Sequence, residues 1–498
     1  MVSKYIVGVI DIDEENINRV YISNELADKL GVVKGGGVIF SYKGEQFGSI
    51  VEIDDMKNAD NSRFFFPLNM IKKYGLIDGN SIDVHTYLPL ESVNAIGRKL
   101  KGGHLTENEI TSIISDFMNQ KLNEVEKTFF VSTFFNSTFS DDEIVYFIKG
   151  MVSTGKRYKF TSKFPIVDKH SIGGVAGKGI TPILVSICAC LDMSLPNTSS
   201  RSLTTPAGTS DILESVMSIF HSGDKLQKFL DDENGFLAWI GGIGIVPLDD
   251  EIMHIVSQIG VEDDSEYIVS ILSKKVALGI DTLLIDIPCG ESLKVKNIDD
   301  ARKISDRFVR IGELLGIKVH TYIREPKGID GNGIGAKLEI REALYVLEQS
   351  DKRSMQLEEE SLNVAAQLIN TVKGIENGYS LAKDTLTSLN ALQKFRRICK
   401  MQGGSESISS SDISIESKYI DIHSGASGSI VGIDNKKAIQ IALSLGCPHD
   451  KDAGIYFYKN VGDSINKGDV AFSIYSTSED KLNSVNDFIK DENILLIK

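Results

Sequence analysis

Phe164-Pro-Ile-Val-Asp-Lys-His-Ser-Ile-Gly-Gly-Val-Ala-Gly-Lys-Gly-Ile-Thr-Pro-Ile-Leu-Val-Ser-Ile-Cys-Ala-Cys190 is the stretch that decides the fold class of this chain. A short apolar start, a glycine-rich turn and a long apolar run follow one another without a break. Strand, turn and helix in that order form the repeating unit of an α/β sheet, where ligands gather at the carboxyl ends of the strands. A glycine-rich turn exposes several N–H groups, and the helix N-terminus after it adds positive potential. Lys169, Lys178, Ser171 and Thr181 bring charge and hydroxyl donors to the same turn. The turn therefore reads as a cradle for a phosphate oxyanion. It lacks the spacing of a Walker A loop and is not a dinucleotide fingerprint.

Outward from this unit, apolar strand-like runs alternate with helical patterns from about 160 to 400. They are FPIVDKH, ITPILVSICACL, LAWIGGIGIVP, TLLIDIP and IKVHTYI. The second follows the glycine turn and reads as its helix. Residues 249 to about 280 interrupt the alternation with helix and are expected to join a helical layer formed by 87–157. In that layer Thr106-Glu-Asn-Glu109 reads as a capping box, and Ser140-Asp-Asp-Glu143 opens a second periodic run. Residues 1–86 alternate as strands and carry a faint duplication. Glu25-Leu-Ala-Asp-Lys-Leu-Gly31 is echoed by Asn69-Met-Ile-Lys-Lys-Tyr-Gly75, each followed by an apolar strand, which suggests a double-psi-like barrel. Gly403–Ser411 reads as a Gly/Ser linker, and 412–498 as a C-terminal domain rich in strands. The expected architecture is multidomain α/β: an N-terminal β-barrel (1–86), a helical domain (87–157 plus about 249–280), an α/β domain (158–248 plus 281–402) and a C-terminal α+β domain (412–498).

The 498 residues are 42% hydrophobic and 25% charged, with a formal net charge of −15. Such acidity argues against duplex nucleic acid or an anionic membrane as partner, and makes a clustered cationic pocket more telling. The five cysteines (Cys188, Cys190, Cys289, Cys399, Cys447) are scattered without zinc-ligand spacing, and the eight histidines are dispersed. No metal or cofactor is expected. The start has no apolar leader, and no run reaches the ~18–20 apolar residues that span a bilayer. A reduced, cytoplasmic protein is expected.

A second polar segment, Asn197-Thr-Ser-Ser-Arg-Ser-Leu-Thr-Thr-Pro-Ala-Gly-Thr-Ser-Asp211, reads either as a polar surface loop or, because it directly follows an apolar strand–helix unit, as part of a ligand site at the carboxyl ends of the strands. Arg201 in it is able to grip a phosphate by two parallel N–H bonds. Taken together, Asp168-Lys-His-Ser-x-Gly-Gly-Val and Ser-Arg-x-x-Thr-x-x-Ala-Gly-Thr-x-Asp closely resemble the pyrimidine nucleoside phosphorylases, most of all their AMP phosphorylase branch. Further parts of the resemblance are Ser270-Ile-Leu-Ser-Lys-Lys275, the IDIPCG strand, Asp330-Gly-Asn-Gly-Ile-Gly335 and Gly432-Ile-Asp-Asn435.

The resemblance implies that Lys169, Ser171, Thr181, Ser199 and Thr209 cradle the attacking phosphate. It implies that Gly174, Ser200, Arg201, Ser202, Leu203, Thr204, Thr205 and Thr209 line the nucleotide site with Ser270, Lys274 and Lys294. His170 either contacts substrate or is an ordered structural histidine. The chain departs from the family at the general acid. The AMP branch has an aspartate where this chain has Glu262, and a one-residue slip would bring in Asp263 instead. It departs again at Ala176-Gly-Lys178-Gly, where the family has Pro-Gly-Asn-Lys/Arg, so the positive charge is shifted by one position. The implied reaction is phosphorolysis of AMP, with CMP and UMP as further candidates, inorganic phosphate as co-substrate, and closure of the α/β domain onto the helical domain excluding water. The implied assembly is a homodimer or larger homo-oligomer. Rival readings are a thymidine or uridine phosphorylase, a phosphoribosyltransferase-like transferase, and a nucleotide-binding regulator without catalysis.

Overall fold

The protein is described here by a computed structural model covering residues 2–12, 18–54, 61–85, 90–202, 205–260, 263–490 and 494–498. It is a mixed α/β chain of two compact units, the first holding residues 1–154 and 248–269, the second 155–247 and 270–498.

In the first unit six strands form a closed barrel. They are β1 (Val2–Ile10), β2 (Arg19–Ile22), β3 (Gly37–Tyr42), β4 (Glu45–Ile53), β5 (Arg63–Pro67) and β6 (Ser81–His85), closing in the order β1-β5-β2-β4-β3-β6. Closure leaves no strand edge to pair with other chains. The two echoed segments fold alike: helices Asn24–Leu30 and Leu68–Tyr74 each end at a left-handed glycine, Gly31 and Gly75, before β3 and β6. Phe40, Phe47, Phe64 and Phe66 fill the barrel. A helical layer follows, in which the expected capping boxes form at Thr106/Glu109 and Ser140/Glu143. Glu143 also takes the Lys99 ammonium at 2.8 Å, with both side chains buried. Barrel and helices meet at Gly48, where a Cβ would lie 1.9 Å from the Gln120 carbonyl oxygen, so only glycine fits.

In the second unit β7 (Val167–Ser171), β8 (Leu195–Ser199), β9 (Gly235–Trp239), β10 (Thr282–Pro288) and β11 (Lys318–Arg324) are all parallel to their neighbours. The order β11-β10-β7 is joined to β8-β9 by a bridge between Ile166 and Ser194. The run ITPILVSICACL is the helix Ile180–Cys190, almost wholly buried, which is why it carries no helical stripe. Gly403–Ser411 is not a loose linker. Ser410 donates its N–H and hydroxyl to Glu348 at 2.8 and 2.5 Å, and Ile408 is buried, so the segment is pinned to the domain before it. Beyond it, six further strands and the helices Asn435–Leu445 and Glu479–Ile489 share one apolar core. No described helix is long and apolar enough to cross a membrane.

Candidate active site

Lys169 and Ser171 project from one face of β7, Asp168 and His170 from the other. Asp168, fully buried, accepts from the Lys275 ammonium at 2.6 Å and from the Asn197 carboxamide at 2.7 Å, which ties β7 to two other elements. On the opposite face the Lys169 ammonium lies 3.8 Å from Asp286 of β10. Asp286 in turn holds Arg324 of β11 at 2.9 Å, and Arg324 grips Asp330 through two bonds of 2.6 and 2.8 Å. Burial works to raise the Asp286 carboxyl, but the charges of Arg324 and Lys169 overcome it and hold it below its ordinary value. Burial lowers Lys169 against the pull of Asp286. His170 is pushed well below its usual range by burial and by Lys275, Lys274, Lys169 and Lys178, so it is neutral at physiological pH.

The glycine turn after β7 takes its shape from Gly173, Gly174 and Gly177, all with positive φ (94°, 95° and 77°). Ser171 accepts from the Gly173 N–H at 3.2 Å. Three distant groups fix the rest. Glu339 accepts the Lys178 N–H at 2.8 Å, Asn435 accepts the Ala176 N–H at 3.0 Å, and Asp330 donates its N–H to the Ala176 carbonyl at 3.0 Å. Asn435 also donates to the Gly328 carbonyl at 2.7 Å, so one buried carboxamide spans two loops. Lys178 and Lys294 lie over Gly173 and Gly174. Thr181 sits in the first turn of the following helix.

Ser199 ends β8, and its hydroxyl meets that of Ser210 at 2.8 Å; Thr209 begins the short helix Thr209–Leu213. Much of the polar capacity of this segment folds it on itself. Asp211 accepts the N–H groups of Ser202 and Gly208, each at 2.8 Å, and Ser202 bonds the Thr205 hydroxyl at 2.7 Å. Arg201 spends its fork on Glu214, at 3.1 and 2.6 Å, and its guanidinium packs over Trp239. Lys274 donates to Ser270 at 3.0 Å, one helical turn away. Leu203, Thr204 and Glu262 lie outside the described residues. Asp263 is described, and it caps the helix Asp264–Ala277: its carboxylate accepts the Ser265 N–H at 2.7 Å.

The structure thus brings Lys169, Ser171, Gly174 and Lys294 to one turn. Asp286, Asp330 and Asn435 lie in motifs that carry the resemblance but had no role assigned to them, and neither Arg324 nor Glu339 was given one. One signal did exist. An aspartate inside the apolar run TLLIDIP is a charge that must be buried, and a buried charge needs a partner. Among the described residues no cluster of three or more His, Cys, Asp or Glu side chains has the geometry to hold a metal.

Similarity to known proteins bears on this arrangement. The chain is 34% identical to the AMP phosphorylase of Thermofilum pendens over 96% of its own length and 92% of the relative's. It is 32% identical to AMP phosphorylase 1 of Archaeoglobus fulgidus, covering 96% and 94%. The chain belongs to the AMP phosphorylase family. Residues 430–494, which include Asn435, match the pyrimidine nucleoside phosphorylase C-terminal domain. A protein of Legionella pneumophila named putative thymidine phosphorylase is 32% identical over 84% of this chain and 80% of that one. In fold, the chain is similar to anthranilate phosphoribosyltransferase from Thermus thermophilus, with a TM-score of 0.50 and 14% identity over 62% of this chain and 99% of that one.

Proposed function

We propose that the chain is a pentosyltransferase that splits the N-glycosidic bond of AMP with inorganic phosphate, releasing adenine and ribose 1,5-bisphosphate. The observation that carries this reading, in a member of the AMP phosphorylase family, is the turn after β7. An acidic protein concentrates Lys169, Lys178 and Lys294 there, around glycines whose backbone N–H groups are shaped by positive φ. Such a place favours anions.

In this reading Lys169, Ser171, Thr181, Ser199 and Thr209 hold phosphate against C1′. Positioning of that kind contributes as much as ~7–11 kcal/mol to lowering a barrier. As the C1′–N bond breaks, C1′ carries developing positive charge, a phosphate oxygen forms the new bond, and the base departs with a proton. Asp286 keeps Lys169 in place rather than reacting itself. The proton comes from Glu262, because Asp263 is committed to its helix cap. Donation by a carboxylic acid of this type is worth on the order of 10²–10⁴-fold. No metal enters this scheme. The family includes a relative named for thymidine, so a nucleoside phosphorylase is the second reading. We read the two units as four domains, with the barrel of the double-psi type. The exposed Val125 and Phe129 on the helix Glu124–Asn136 support association of copies through the helical layer.

Phosphorus NMR of a reaction with AMP and phosphate tests the scheme. It predicts loss of both signals and growth of two phosphate-ester signals in equal amounts. Growth of ribose 5-phosphate, independent of added phosphate, contradicts it.

A further inference from the structure

Two lysine–aspartate contacts flank β7, and they differ. On one face the Lys275 ammonium closes on Asp168 at 2.6 Å. On the other the Lys169 ammonium stands 3.8 Å from Asp286, beyond hydrogen-bond reach, although both side chains are buried. Where water screens poorly, a bare carboxylate draws an ammonium into contact. Something keeps this second pair apart.

The Asp286 carboxylate is already taken. Arg324 donates from Nε to one of its oxygens at 2.9 Å and from a terminal nitrogen to the other at 3.3 Å. Burial works to raise the Asp286 carboxyl, and of the charges that oppose it Arg324 counts before Lys169. Arg324 is itself aimed, because the end of its fork grips Asp330 at 2.6 and 2.8 Å. Asp330 is fixed in turn. Its N–H holds the Ala176 carbonyl at 3.0 Å, and the next residue, Gly331, packs so closely on Gly177 that a Cβ there would lie 2.8 Å from the Gly331 nitrogen. Glu360 also faces Arg324, at 3.8 Å, but burial raises its carboxyl, so it is the weaker holder.

We infer that Arg324 is a positioning residue for the attacking phosphate. By filling the Asp286 carboxylate, with Asp330 aiming it, Arg324 stops Asp286 from closing on Lys169 and leaves the Lys169 ammonium to the phosphate. This rests on the reading above, in which Lys169 holds phosphate. Arginine suits the task, because one planar fork covers two carboxylates and a lysine head does not.

Calorimetry with inorganic phosphate alone and with AMP alone compares the full-length wild type with Arg324→Met/Asp330→Leu. Taking out the pair together removes one charge of each sign, so the buried charge stays balanced. Lys169 then closes on Asp286. Phosphate affinity falls about 10- to 100-fold, the worth of one charge-assisted hydrogen bond, and AMP affinity stays within about twofold. Adding Asp286→Asn keeps an acceptor for Lys169 without the charge that captures it, and returns phosphate affinity to within about threefold of wild type. A role in folding alone gives no such recovery.

Unchanged phosphate affinity in the double variant, an equal loss of AMP affinity, or no recovery in the triple variant overturns the inference. Should the double variant not fold, Arg324→Lys takes its place. It keeps the charge but cannot fork both acids, so phosphate affinity falls about 3- to 10-fold while AMP affinity holds; an unchanged phosphate affinity there overturns the inference as well. Phosphate binding that follows this pattern in a protein that leaves AMP intact would uphold the role of Arg324 and overturn the proposed reaction. A wild type that binds no phosphate overturns both.

Discussion

In the proposed reaction the neighbours Asp263 and Glu262 have different work to do. Asp263 caps a helix, and asparagine caps as well as aspartate, so Asp263→Asn leaves kcat within a few-fold, whereas Asp263→Ala lowers stability by about 1 kcal/mol. Glu262→Gln lowers kcat on the order of 10²–10⁴-fold with little change in thermal midpoint. Steady-state kinetics beside thermal unfolding separate the two residues, and full activity of Glu262→Gln removes it as the acid. His170 is held neutral by burial and four lysines, so it is not protonated on going from pH 7 to 6. His170→Asn therefore leaves the shape of the pH–rate profile across that range unchanged, even if activity falls. Lys169, Ser171 and Gly174 were legible because they lie in one local strand–turn–helix sequence. The grip of Arg201 on Glu214 was not, since the two stand thirteen positions apart in sequence and the same fork suits a phosphate equally well.

At the scale of elements, the glycine turn is shaped by groups that no local pattern connects to it. Asn435 begins a helix 259 residues beyond Ala176, yet its carboxamide is buried between Ala176 and Gly328. Asn435→Leu fills the same space and leaves a buried N–H and a buried carbonyl unpaired, each worth about 1–3 kcal/mol. It should lower the unfolding free energy and raise the KM for phosphate, while Asn435→Asp, which keeps an acceptor for Ala176, is affected less. Equal phosphate KM values in all three proteins would show that Asn435 braces the fold without setting the turn. Lys275→Met strands a fully buried Asp168 carboxylate and is expected to destabilise by about 3–5 kcal/mol in chemical denaturation. Strands were readable from alternation and apolar runs. Helix Ile180–Cys190 was readable only through the glycine turn before it, because burial on all sides erases the polar face that marks a helix. The Gly/Ser stretch misled for a related reason: its composition suits a linker, but Glu348 and a buried Ile408 hold it down.

At the scale of the molecule, charge and symmetry matter most. A formal charge of −15 concentrates the meaning of the few buried lysines, and composition alone pointed away from nucleic acid. Repetition of helix, left-handed glycine and strand made the barrel legible before its six strands were seen to close. The proposed association of copies was implied by the resemblance alone, since exposed Val125 and Phe129 are ordinary residues in sequence and distinctive only on a surface. Phe129→Asp should shift the protein toward smaller species in light scattering while leaving the far-ultraviolet spectrum unchanged. The most direct test of the account is phosphate-dependent base release, followed by chromatography, from AMP, CMP, UMP, adenosine, uridine and thymidine. The account predicts adenine from AMP, none without phosphate, and far less from adenosine. Uracil or thymine from nucleosides alone, with AMP untouched, would contradict it.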